Sequence, residues 1–96
     1  MRACLIAVLV LAFPGARAAD AERERGCSLA ASAAAGIAEL RAKGLTEEHV
    51  AYGITRDGYA VDAPRIRALV AEIYRDKLTP AAAAKRVRER CLATPR

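Results

Sequence analysis

Apolar positions along the chain fall into one unbroken run, Ala3 to Phe13, followed by four periodic stretches. In the first of these, between Ala21 and Lys43, Leu29, Ala33, Ile37 and Leu40 recur at four, eight and eleven residues and predict one face of an amphipathic helix. Gly44 then stands where a left-handed C-terminal cap is wanted, and Lys43 puts a cation at the negative end of the helix dipole. A short second helix is expected from a Thr46 cap to about Ile54. Glu47 and Glu48 fill its first turn, and Leu45 and Val50 have the spacing of a hydrophobic staple.

Between Thr55 and Ala60 the Arg56-Asp57-Gly58 sequence reads as a polar turn, with flanks too short and unalternating for a hairpin. Val61, Asp62 and Ile66 repeat the staple and cap, with Pro64 tolerated in the first turn. Ile66, Leu69, Val70, Ile73 and Tyr74 then recur at three, four, seven and eight residues, the strongest helical signal in the chain. Leu78-Thr79-Pro80 ends that helix and opens the last one, with Thr79 as cap and Pro80 at the first helical position. Ala84, Val87 and Cys91 share a stripe that turns the cysteine inward.

The expected fold class is therefore all-α: a small antiparallel bundle of four helices, since short links force successive helices to run antiparallel or at a sharp angle. Ala30, Ala31, Ala34 and Ala38 on the first helix and Ala81 to Ala84 on the last allow close backbone approach, so these two helices are expected to pack against each other. Composition agrees. Alanine fills 24 of 96 positions, which favours helix over sheet, and Arg outnumbers Lys 13 to 3, a bias that fits a GC-rich bacterial genome.

The apolar run changes the picture of where the chain lives. Met1-Arg2 gives a positive start, Pro14-Gly15 breaks the run, and Ala16-Arg17-Ala18 supplies small residues at the positions a signal peptidase reads. Residues 1–18 are expected to be a cleaved signal peptide and residues 19–96 the small helical domain. Eleven apolar residues are too few to cross a bilayer core of about 30 Å, so the segment is not an anchor. Cleavage after Ala18 removes Cys4, Arg2 and Arg17, leaving 78 residues with 14 basic and 11 acidic side chains, a net charge of +3. No later stretch approaches eighteen apolar residues, so no transmembrane segment is expected in the mature chain and its place in a Gram-negative cell is the periplasm.

Processing leaves two thiols, Cys27 and Cys91, in an oxidising compartment, and a Cys27–Cys91 disulfide is predicted. In the chain-entropy account such a loop stabilises by about 4 kcal/mol, and a domain this small draws only a few kcal/mol from its core alone. Neither cysteine has another within two or three residues, and His49 lies in a different segment, which argues against a redox or metal pair.

Candidate chemistry is sparse. Glu48 and His49 superficially suggest a metal or acid–base cluster, but adjacent helical residues point about 100° apart and do not converge on one ion. Tyr74 belongs to the core stripe, whereas Tyr52 and Tyr59 flank the turn and are candidates for a partner-binding surface. Lys85, Arg86, Arg88 and Arg90 crowd the last helix, with Arg96 beyond it. They read either as a strip for an anionic head group or acidic protein, or as a solvated face with Lys85 and Glu89 paired at i,i+4. Glu22, Arg23, Glu24 and Arg25 read as frayed or solvated helix. A glycine-rich phosphate loop and a Ser/His/Asp set are both missing, so neither a cofactor, a metal nor a catalytic residue is expected. A net charge of +3 and export argue against nucleic acid as a partner. An Ala-rich bundle with an apolar face is also capable of pairing with a second copy.

Cys27 with its Ala-rich helix and Gly44, the Ile66-x-x-Leu69-Val70-x-x-Ile73-Tyr74 run, and Leu78-Thr79-Pro80 leading to Val87 and Cys91 resemble a type of small exported proteobacterial protein of unknown function. The layout also resembles the periplasmic immunity proteins of type VI secretion, which are helical, disulfide-bonded and bind a toxic effector; this chain is shorter and has one expected disulfide. The periplasmic acid-stress chaperones share its general plan. These resemblances imply a non-enzymatic periplasmic protein that binds another protein, with an acid-responsive chaperone or an immunity protein as alternatives.

Overall fold

Three helices begin where a side-chain oxygen meets an otherwise unpaired backbone N–H. In the computed structural model, which describes residues 14–56 and 62–94, the helices are α1 (Pro14–Ala42), α2 (Glu47–Thr55), α3 (Ala63–Arg75) and α4 (Pro80–Ala93). There is no strand among the described residues. Thr46 accepts from the His49 N–H, Asp62 from that of Arg65 and Thr79 from that of Ala82, so all three expected caps form. The Asp57-Gly58 turn, Tyr59, Val61 and Arg96 lie outside the described residues, as does the Ala3–Phe13 run.

Two helix ends close in the same way. The Gly44 and Leu45 N–H groups donate to the Arg41 and Leu40 carbonyls, with Gly44 at φ 94°. At the end of α3 the Lys77 and Leu78 N–H groups donate to Tyr74 and Ile73, with Lys77 at φ 51°. Both are Schellman caps, and the second places a non-glycine residue in the left-handed region. Leu78 folds back into the same cluster as Ile73, the apolar contact that accompanies this cap. Tyr74 secures the first link from the far side: its hydroxyl donates to the Leu45 carbonyl at 2.7 Å, and burial pushes its phenol pKa up.

The core gathers Ala34, Ile37 and Ala38 of α1, Val50 of α2, Val70 and Ile73 of α3, Leu78 and Ala83. α1 and α4 run antiparallel along a seam of small side chains. Cys27 and Cys91 are bonded at one end, with Cα atoms 5.5 Å apart, and Ala34, Ala38 and Ala83 are fully buried farther along. Both the disulfide and the close packing of these two helices are as the sequence predicts.

Three local expectations are corrected. First, α1 extends N-terminal of Ala21: among the described residues it runs Pro14–Ala42. Second, the buried face of α1 is Cys27, Ala31, Ala34 and Ala38 with Ile37, while Leu29 is 72% exposed and Ala33 is exposed. The disulfide and the seam with α4 rotate the helix so that small residues, not the larger Leu29, point inward. On α4 the fully buried alanine is likewise Ala83, with Ala84, Val87 and Cys91 half-buried. Third, Arg23 is not simply solvated. Its guanidinium donates to the Leu92 and Thr94 carbonyls, placing a cation on the C-terminal end of α4.

Candidate functional site: a groove beside the disulfide

α3 packs into the core with α1 through Val70 and Ile73 and is tied to α4 by the Glu72 ion pairs, leaving a groove along its N-terminal half. The groove is about 650 Å³ and mostly apolar. Ala30 and Ala33 form its α1 wall, and Ile66, Ala68 and Leu69 form the α3 wall between Arg65 and Glu72. Val87 and Cys91 line the α4 side, with Arg90 and Thr94. A cavity of this size is in the range of binding pockets. Leu29 stands one turn before Ala33 on the same stripe of α1, beside a shallow depression formed with Arg25, Ser28 and Ser32.

The end of the groove at Glu72 is electrostatically closed. Glu72 accepts from Arg90 through both carboxylate oxygens, at 2.9 and 2.6 Å, and from Arg86 at 3.1 Å. Its side chain is 15% exposed. The Arg90 hydrogen bond, helped by Arg86 and opposed by desolvation, lowers the Glu72 pKa from 4.5 to about 2. Arg86 also reaches Asp76, which Arg75 holds from the other side at 3.1 Å. Hydrogen bonds from Arg75 and then Arg86 lower the Asp76 pKa from 3.8 to about 2. Five charges thus join α3 to α4 in one network.

The residues expected to form a partner surface are therefore dispersed. Arg86 is half-buried in the network, Arg90 shares it while lining the groove, and Arg88 donates to the Ser28 hydroxyl at 3.1 Å. Lys85 is exposed. Tyr52 is 67% exposed on α2, away from the groove lining, and Tyr59 lies outside the described residues. His49 is exposed in the first turn of α2, where its backbone N–H serves the Thr46 cap. Among the described residues no group of three or more His, Cys, Asp or Glu is placed to hold a metal ion. None of their helices is long and apolar enough to cross a membrane.

Of the stripe residues expected to face the core, Ala33 and Ile66 line the groove instead, while Leu69 and Val87 line it and also pack against the core. Their signal was their membership of apolar stripes. What the stripes do not carry is the length over which a neighbouring helix covers them. No family model, curated protein or solved structure matches the chain.

Proposed function

We propose that this is an exported, non-enzymatic periplasmic protein whose role is to bind another protein through the groove beside Cys27–Cys91. The observation that carries this reading is the groove: an apolar surface flanked by arginines, built on helices that a disulfide holds in register. The disulfide fits an oxidising compartment, and cleavage after Ala18 would leave α1 beginning at Ala19 with Arg23, Cys27 and the α4 seam intact. An immunity protein against a secreted toxin is one form of this role.

Two measurements test it. The mass of protein recovered from a periplasmic fraction is expected to correspond to residues 19–96; an uncleaved chain in the cytoplasm overturns the export reading. Affinity capture from periplasmic extract is expected to retain one stoichiometric protein on the oxidised domain and not on the Cys27→Ser/Cys91→Ser variant. Absence of any such protein overturns the binding role.

The Glu72–Asp76 network supports a second reading, an acid-responsive chaperone, because these carboxylates tie α3 to the bundle. Their pKa values near 2 confine the release to strong acid. Capture of unfolded proteins at pH 2 to 3, with none at neutral pH, is the outcome that favours it over a dedicated partner.

A further inference from the structure

The α1 stripe is covered over only part of its length. Ile37 and Leu40, toward its C-terminal end, join the core with Leu45, Val50, Ala51 and Ile54. α2 contributes Val50, Ala51 and Ile54 to that cluster and is nine residues long, about 13 Å at the helical rise. The stripe continues past it as Ala33 and Leu29, both exposed, and the opposite wall continues as Ala68, exposed, and Leu69, half-buried. The groove is thus a further length of the surface on which the fold already seats one short helix.

Its charges are one-sided. Arg65 on α3 and Arg90 on α4 line it, and Arg25 lies beside Leu29 on α1. Among the described residues Glu72 is the one carboxylate in the lining, and both its oxygens are occupied by arginines. Arg65 has Asp62 at 3.4 Å, a pair exposed enough to exchange for another carboxylate. A second copy would bring a like-charged rim against this one, so charge complementarity selects a different occupant.

We propose that the groove binds a short amphipathic helix of a partner protein, one whose apolar stripe lies on Ala33, Ile66 and Leu69 and whose flanking carboxylates meet Arg25 and Arg65. This rests on the reading of the protein as a binding module. In such helix-in-groove recognition the apolar stripe supplies affinity and the flanking charges supply orientation and encounter rate.

The chain contains no tryptophan, so a peptide's own tryptophan reports binding without background. The probe is a synthetic helix of about 18 residues, long enough for five turns, with a Leu/Ala stripe, one Trp in the stripe and Glu on both flanks. Its companion carries Lys in place of every Glu. With the oxidised exported protein, the Glu peptide is expected to bind with a blue-shifted emission and roughly tenfold more tightly than the Lys peptide, the preference shrinking as salt is raised. Ala33→Glu is expected to weaken it by about tenfold or more, whereas Ala81→Glu, at another exposed alanine outside the groove, leaves it unchanged. Both sites are exposed, so both variants are expected to remain folded, which circular dichroism checks. No binding, equal binding of the two peptides, or indifference to Ala33→Glu overturns the proposal. If affinity capture still yields a stoichiometric partner in that case, the binding role stands and only the acidic-helix assignment falls.

Discussion

Glu72 on α3 and Arg90 on α4 meet through two parallel hydrogen bonds, at 2.9 and 2.6 Å. This bidentate geometry gives the pair a defined orientation as well as a charge contact. Because the folded-state pKa of Glu72 is about 2 against 4.5, its contribution is fully present above the unfolded value and is lost as pH falls toward 2. Asp76 acts in the same sense from 3.8 to about 2. Urea unfolding is therefore expected to give a stability that is level from neutral pH to about 5 with respect to these groups and declines between about 4.5 and 2. Glu72→Gln should cost about 1–3 kcal/mol at pH 7 and flatten the acid limb. An acid limb as steep in the variant as in the parent would place its origin elsewhere.

The disulfide closes a loop over a sequence separation of 64 residues. Replacing both cysteines by serine is expected to lower stability by about 4 kcal/mol, most of what a domain of this size has to spare. Thermal unfolding followed by circular dichroism, with and without reductant, reads this directly. A shift of only a few degrees would mean that the Ala seam alone holds α1 to α4.

Rotation of α1 about its axis is tested by a reciprocal pair of substitutions. Ala34 is fully buried, and Ala34→Leu should overpack the seam and cost about 1–3 kcal/mol. Leu29 is 72% exposed, and Leu29→Ala should change stability by no more than about 0.5 kcal/mol. The opposite ranking, measured by chemical denaturation, would restore the face marked by Leu29, Ala33, Ile37 and Leu40.

The two Schellman caps make another matched pair. Gly44 at φ 94° should resist a side chain, with Gly44→Ala costing about 1 kcal/mol. Lys77 already bears the left-handed penalty at φ 51°, so Lys77→Gly should be neutral or stabilising by up to about 1 kcal/mol. A lower denaturation midpoint for Gly44→Ala with an unchanged or higher one for Lys77→Gly checks both statements at once.

These positions also show why some of the molecule was legible in its residues and some was not. The Thr46, Asp62 and Thr79 caps depend on a side-chain oxygen and an N–H three residues away, so the local sequence carries them entirely. The disulfide followed from counting thiols after removal of Cys4. Glu72 with Arg90 is different: the two are 18 residues apart, and their meeting depends on how far α4 slides along α3, which no local pattern states. The phase of α1 failed for a related reason. Alanine reads as apolar on every face of that helix, and the cross-link to Cys91 chose among them. The groove follows from both, since it exists only where α3 parts from α1 and α4.

The position of the cross-link also sets how the molecule bears load. Pull on the chain from outside Cys27 and Cys91, and tension passes through the sulfur bridge, bypassing α2 and α3 altogether. Those two helices sit inside a covalent ring that no stretching of the ends can open, and the groove wall formed by α3 keeps its shape under force. Only after reduction does the ring become extensible, releasing about 220 Å of chain at full extension.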